Sequence, residues 1–239
     1  MTSGKAIIGG MLGRFLFRDA RVEQVREVSP HFRWMELAGE ALRDVAWHAG
    51  DKVQVFLPQV GMRTYTPLAW DAARGATQFL LYLHGDTPGA KWGREVRVGD
   101  RCRFFGPRGS LALAALEGPV VLFGDETSFA LAHTLRNLRA GTGGVEQVFE
   151  VSSRAESEAV LGEFRVEGST LVERAPGDRH LSTAAAALQA AVARRPGAHL
   201  VMTGRAQAIQ ALRGQLRSAG VRAEQKVKAY WSLGKAGLD

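Results

Sequence analysis

Near Glu117-Gly118-Pro119 the hydrophobic pattern of the chain changes its period, and this constrains the fold more than any other feature. Before that point the text is β-like. The runs "ARVEQVREVS", "HFRWMELAG", "DKVQVFLPQ", "RTYTPLAW", "TQFLLYLH" and "DRCRFFGP" carry β-branched and aromatic residues and are separated by Gly, Pro and Asp at hairpin spacing. Six such strands predict a closed antiparallel β-barrel, because closure removes the edges that an open sheet must protect. After that point strands alternate with helices: "PVVLFG", "TSFALAHTLRNLRAG", "VEQVFEV", "STAAAALQAAVARRPG" with Ser182 as N-cap, "HLVMTG", "RAQAIQALRGQLRSAG" and "VRAEQKVKAYW". Alternation of this kind predicts a parallel α/β sheet covered on both faces, with ligands at the carboxyl ends of its strands.

The expected organisation is therefore a β-barrel domain over 1–117 and an α/β domain over 118–239. At 239 residues the chain is long enough for two domains of modest size, each with its own core. Residues 1–20 include Ile7, Ile8, Met11, Leu12, Phe15 and Leu16 at helical spacing, interrupted by Gly9, Gly10, Gly13 and Arg14. Such a stretch is too short to span a bilayer and predicts a helical segment packed on the protein.

Hydrophobic residues at 46% against 23% charged exclude a disordered chain. The formal net charge of +7 favours anionic partners, but the arginines stand singly, so nothing resembles a nucleic-acid tail. One cysteine, Cys102, excludes an intrachain disulfide and fits a reducing, cytoplasmic setting. The six histidines show no i, i+4 pairing, so no built-in zinc or iron site is expected.

Within the barrel half, "RTYTPLAWD" is the odd segment. A strand that only packed would carry Val and Ile here. Instead Arg63 and Tyr65 share one face of an extended segment, offering forked phosphate donors beside an aromatic ring, and Thr66 is held extended by Pro67. A surface arginine beside a half-buried tyrosine explains the same residues without any ligand.

Several segments in order decide between these readings. "RTYTPL", "HGDTPGAKW", "VGDRCRFFGPRGSL", "GDETSFALAHTL" and "KAYWSLGKAG" resemble the motifs of the siderophore-interacting proteins, the flavin-dependent ferric-siderophore reductases related to ferredoxin reductases. The resemblance runs from about residue 21 to the end. It implies that Arg63 holds the FAD pyrophosphate, with Thr64 between it and Tyr65, that Tyr65 lies against the flavin, and that Thr66 hydrogen-bonds near its N5. His84 and Trp92 match the next motif, whose core reads Thr87, Pro88, Gly89, Ala90 here. A phosphate-binding hydroxyl is thus missing at Ala90, leaving Thr87 or the backbone from Gly89 onward to replace it. Arg108 and Ser110 lie in a turn that resembles the barrel-closing one near the flavin.

For the second cofactor, the resemblance points to Gly124 and Thr127, and to Thr203-Gly204 at the end of "HLVMTG". Asp125 and Glu126 would repel a pyrophosphate and suit helix capping instead. Ser152, Ser153 and Arg154 follow a strand where a 2′-phosphate would sit, which favours NADPH over NADH. Tyr230 and Trp231 would line the flavin cavity. Lys226 matches a basic position for an anionic iron chelate; a second such lysine reads Gln54, with Lys52 two residues away and Lys235 an outlying third. For Lys228 and Lys235 ordinary solvation is the better explanation.

The expected function is FAD-mediated reduction of a ferric siderophore by NADPH. Alternatives are a flavoprotein serving ferredoxin or another acceptor, and a cofactor-free binding protein for anionic partners.

Overall fold

The computed structural model describes residues 17–57, 60–141 and 144–235. The first half is one antiparallel sheet of seven strands, β1 (Phe17–Ser29), β2 (Phe32–Ala38), β3 (Lys52–Leu57), β4 (Gly61–Tyr65), β5 (Ala69–Asp71), β6 (Ala76–Tyr82) and β7 (Arg101–Arg108). Its order is β4-β3-β7-β1-β2-β6-β5, so it does not close. The six-stranded closed barrel is thereby corrected, and the cause is local. The run "RTYTPLAW" breaks at Thr66-Pro67-Leu68 into β4 and β5, since proline donates no ladder hydrogen bond. These two strands are the sheet's opposite edges, joined by three residues, so the sheet curls until its ends adjoin without pairing.

The first helix, α1 (Pro88–Glu95), crosses the open side of this sheet. Nothing in the local sequence pattern sets its length. Gly93 permits the contact, since a Cβ there would stand 2.6 Å from Leu83 Cδ2. Arg33 donates to the carbonyls of Gly93 and Val96 at the helix's C-terminal end, where a cation is favoured. Most of the expected N-terminal helical segment lies outside the described residues. Residues 17–20 belong instead to β1, with Phe17 opposite Phe105 and Ala20 opposite Cys102. Cys102 is buried in the core of this sheet, which pushes its thiol up to about 12.

The second half is a parallel sheet, β8 (Val120–Gly124), β9 (Val145–Val151), β10 (Thr170–Glu173), β11 (His199–Arg205) and β12 (Gln225–Trp231), in the order β10-β9-β8-β11-β12. Helices α2 (Phe129–Leu138), α3 (Arg154–Glu163), α4 (His180–Arg194) and α5 (Ala206–Ser218) connect the strands. Phe129, Leu131, Val160 and Leu161 of α2 and α3 pack on one face; Leu181, Leu188, Ile209 and Leu212 of α4 and α5 pack on the other. Helix α3 and strand β10 carry too few apolar residues to stand out in the sequence. Helix α4 starts at His180, before the expected N-cap: Ser182 lies inside it and donates to Arg179 O at 3.0 Å.

Besides each sheet's own core, one apolar cluster spans the two sheets. Phe32 of β2 stacks on Phe129 of α2, ring centroids 5.5 Å apart and planes 2° from parallel. Beside it the Glu156 carboxylate of α3 accepts from Ser29 Oγ at 2.6 Å and from the His31 backbone N–H at 2.9 Å, at the β1–β2 turn. The strand order reverses between β8 and β11, and the crevice at their carboxyl ends opens toward the first sheet.

Candidate functional site

Two groups of side chains meet at this crevice, one from each sheet. The first is built on β4. Arg63 and Tyr65 lie opposite Val55 and Val53, both buried, so their face is the sheet's inner one. The Tyr65 ring packs on Phe79 and on Trp92 of α1, at 6.4 and 5.8 Å. Burial holds its phenol protonated well above the usual tyrosine range, partly offset by the neighbouring Arg63 charge. The N-terminus of α1 faces the same place. Thr87 is its N-cap, accepting from the Ala90 N–H at 3.3 Å, and no acidic residue occupies the first turn.

A Cβ on Gly89 would stand 3.0 Å from Tyr65 Oη and 3.9 Å from Arg63 Cγ, so glycine lets the phenol and the Arg63 stem approach the start of the helix closely. Arg63 donates to its neighbour's carbonyl, Met62 O, at 2.7 Å, and makes no ion pair among the described residues. A cation beside a helix N-terminus with glycine in its first turn suits an anion such as a pyrophosphate. Ala90 takes no part beyond its backbone: its methyl is buried in the core of the sheet. Thr64 is exposed.

The second group sits at the ends of β8, β11 and β12. Thr66 Oγ1 reaches Tyr230 Oη at 3.5 Å, a long hydrogen bond that joins the first sheet to the second. His84 lies between Tyr82 and Trp231, at 5.4 and 5.6 Å, and burial lowers its imidazole pKa. A cleft of about 240 Å³ opens here, lined by Tyr82, His84, Ser152, Arg174, Arg205 and Trp231 among others. The first sheet thus supplies an edge with Arg63, Tyr65 and Thr66, and the second an aromatic wall of Tyr230 and Trp231.

The residues expected to hold a nicotinamide nucleotide have mixed fates. Thr127 is half-buried at the start of the turn leading into α2, bonded through its N–H to Asp125 Oδ1 at 2.9 Å. Gly124, Thr203 and Gly204 are buried; a Cβ on Gly124 would meet Ser128 Oγ at 2.6 Å, and Thr203 donates to that same oxygen at 2.8 Å. Their small size lets β8 and β11 approach the turn. Ser152 stands in the cleft, whereas Ser153 caps α3 by accepting from the Glu156 N–H at 3.3 Å. Arg154 donates to Leu171 O at 2.5 Å and lies beside Glu158. Of the lysines, Lys226 shares a face of edge strand β12 with Lys228 and Tyr230 by strand alternation. Lys52 pairs in register with Arg108, which donates to Gln54, and Lys235 lies exposed beyond β12.

Sequence reading missed the ion-pair network that floors the crevice. Arg174 grips Glu126 with both terminal nitrogens, at 3.0 and 2.7 Å, and donates to Ser152 Oγ at 2.7 Å. Arg205 grips Glu150 with two bonds of 3.0 Å and Asp178 with bonds of 3.0 and 2.8 Å. His180 accepts from the Ala175 N–H at Nδ1, so its Nε2–H donates to Glu150 at 2.8 Å. Glu126 therefore belongs to this network, whereas Asp125 accepts from the Thr127 N–H and from the Trp231 indole. The one signal in the sequence was Glu150 inside the otherwise apolar end of "VEQVFEV". Among the described residues no group of three or more His, Cys, Asp or Glu could hold a metal ion, and no helix is long and apolar enough to cross a membrane.

A curled antiparallel sheet followed by a five-stranded parallel sheet with helices on both faces defines a ferredoxin-reductase-like fold. Solved structures agree. A siderophore utilization protein from T. fusca superposes with a TM-score of 0.72 at 22% identity, covering 93% of this chain and 95% of that one. The siderophore-interacting protein SipS from Aeromonas hydrophila gives 0.73 at 19%, covering 92% and 93%. A phthalate dioxygenase reductase gives 0.73 at 15%, covering 93% and 71%. No curated protein sequence matches significantly.

Two family models match consecutive stretches: "Siderophore-interacting FAD-binding domain" over residues 59–111 and "Siderophore-interacting protein" over 118–234. The chain belongs to the siderophore-interacting protein family. Its first half carries that family's FAD-binding domain, and Arg63 beside the acid-free first turn of α1 fits the phosphate end of such a cofactor.

Proposed function

We propose that this protein is an FAD-dependent reductase that draws electrons from NADPH and delivers them to Fe(III) in an anionic siderophore. The carrying observation is Arg63, without an ion pair among the described residues, beside the start of α1, whose first turn holds no acid and whose Gly89 lets the Arg63 and Tyr65 side chains approach it. Bound FAD would supply the conversion of a two-electron hydride into single electrons, chemistry that belongs to the cofactor. The division of labour follows the two sheets, with the boundary near residue 117.

Arg63 and the N–H groups at the start of α1 would hold the pyrophosphate. Thr66 would address the ring edge, and Tyr230, Trp231 and His84 would wall the cavity and keep water out. On β12, Lys226 and Lys228 lie on the same face as Tyr230, which reaches Thr66, so two cations flank the approach an anionic chelate would take. Lys52 and Lys235 would act more remotely. Hard anionic oxygen ligands hold Fe(III) better than Fe(II), so reduction loosens the complex. Preference for NADPH over NADH rests on Ser152 in the cleft and on Arg154 and Ser153 next to it. Ferredoxin is the alternative donor, and a soluble cytoplasmic setting accompanies the reading.

The test is direct. Purified protein should bind FAD stoichiometrically, and the loaded protein should be reduced faster by NADPH than by NADH or reduced ferredoxin. Fe(II) should then appear in a ferrous trap when a ferric siderophore is added. Protein that takes up no FAD overturns the reading. Reduction without Fe(II) release moves the acceptor to ferredoxin, a quinone or free flavin.

A further inference from the structure

Asp125 is fully buried at the N-cap of the turn Glu126–Ser128, and its role there needs no charge. Its Oδ1 accepts from the Thr127 N–H at 2.9 Å and from the Thr127 hydroxyl, a task that Ser or Asn performs as well. The nearest cation gives it little. Arg174 Nη2 stands 4.0 Å from Asp125 Oδ2 but is turned toward Glu126 at 2.7 Å. What the second oxygen does hold is Trp231: the indole Nε1–H donates to Asp125 Oδ2 at 2.7 Å.

Two other features serve that bond. In the β11–β12 ladder Gly204 lies opposite Ala229 but Arg205 lies opposite Trp231, so β12 carries one extra residue at its end. Such a bulge re-aims side chains, and here Tyr230 reaches Thr66 while Trp231 reaches Asp125 and lies against His84. Gly204 has φ +95°, and a Cβ there would stand 2.5 Å from Asp125 Oδ2 and 3.0 Å from Oδ1. Any side chain at 204 would expel the carboxylate. The fold thus reserves a place for a buried acid whose distinctive partner is one indole on the cleft wall.

We propose that Asp125 is a positioning residue that fixes the Trp231 indole as a wall of the flavin cavity, acting through the Nε1–Oδ2 hydrogen bond. This rests on the reductase reading for its consequence, though not for the bond itself. The groups around Asp125 are Glu126 of its own turn, Arg174 beyond β10 with Glu150 of β9 behind it, Tyr82 and His84 across the cleft, and Tyr230 beside Trp231. Burial raises the Asp125 carboxyl to about 6, with Glu126 adding to the rise and Thr127, Arg174 and Trp231 opposing it. Acid should therefore neutralise the acceptor and loosen the indole between about pH 7 and 5, on either side of that value.

The experiment follows the Trp231 Nε1–H resonance in the flavin-free full chain by two-dimensional NMR, assigned by its loss in Trp231→Phe. It should shift with pH with a midpoint near 6 in the wild type, and this titration should vanish in Asp125→Asn. In FAD titrations Asp125→Asn should weaken binding about tenfold, the scale of one hydrogen bond to a charged group, and add less than about twofold in a Trp231→Phe background. A wild-type indole resonance with no response across about pH 5–8 overturns the proposal, even if Asp125→Asn fails to fold. So does an Asp125→Asn effect of equal size with and without the indole N–H. Absence of FAD binding in the wild type would sink the reductase reading, while the indole titration would still decide whether the bond exists.

Discussion

Arg63 in the first sheet and the pair Arg174 and Arg205 in the second half are all partly or wholly buried arginines, yet they differ in what surrounds them. Arg205 makes two-pronged contacts to Glu150 and Asp178, and Arg174 to Glu126, so their charges are answered within the chain. Arg63 has a backbone carbonyl and the blunt end of α1. An arginine whose partners are internal holds a fold together, whereas one left facing a helix N-terminus without a carboxylate is placed for an external anion. The lesson concerns the second sheet as much as the first: a cation at the carboxyl ends of its strands does not by itself make a phosphate site.

Removing Glu150 should break the internal network most severely. The carboxylate is fully buried and serves Arg205 and His180 at once. Glu150→Ala leaves the buried Arg205 guanidinium with Asp178 alone and the His180 N–H without its partner, a loss of about 3 kcal/mol. Urea denaturation should read it as a lower midpoint with an unchanged slope. A loss below about 1 kcal/mol would mean that Arg205 is available after all and would erase the contrast with Arg63.

The opposite pattern is expected for Arg63→Ala. Stability should stay within about 0.5 kcal/mol, because no internal partner is orphaned. FAD affinity should fall about tenfold to a hundredfold, the range of a lost charge-assisted hydrogen bond. Equilibrium titration with FAD, alongside the denaturation curve, separates the two effects. Unaltered affinity would remove Arg63 from the site; a large stability loss would place it with Arg205.

This contrast also shows what could be read from residues in order. The β-runs and the α/β alternation are local patterns, and both sheets follow from them. Arg63, Tyr65 and Thr66 are neighbours in one stretch, so strand alternation alone brought the first two to a common face. The network of Glu126, Glu150, Arg174, Asp178, His180 and Arg205 gathers groups from three strand ends and two loops, and no spacing rule joins them. For the same reason the contacts of Ser153 and Arg154 were not legible: Ser153 accepts from the Glu156 N–H as the cap of α3, and Arg154 donates to Leu171 O and lies beside Glu158. Pro67 was visible, but its consequence, one run becoming both edges of a sheet, depends on how far the sheet curls.

The smallest effect should come from the contact that spans the two regions. Thr66→Val removes a hydroxyl whose bond to Tyr230 is 3.5 Å long, so at pH 7 the cost should be below about 1 kcal/mol. The bond is better exposed by alkali. Burial raises the Tyr230 phenol to about 12, and the Thr66 hydroxyl opposes that rise. The folded chain therefore keeps this proton to a higher pH than the unfolded chain, whose tyrosines titrate near about 10. Between those values the unfolded state loses its proton first, so stability falls as pH rises. Tyr230→Phe should flatten that part of the alkaline loss. Thr66→Val, by removing an interaction that favours the phenolate, should steepen it and carry it further upward. Identical alkaline denaturation profiles for Thr66→Val and wild type would show that the Thr66–Tyr230 bond contributes nothing across the cleft and leave the joining of the two sheets to contacts such as Phe32 on Phe129, Glu156 at the β1–β2 turn and His84 against Trp231.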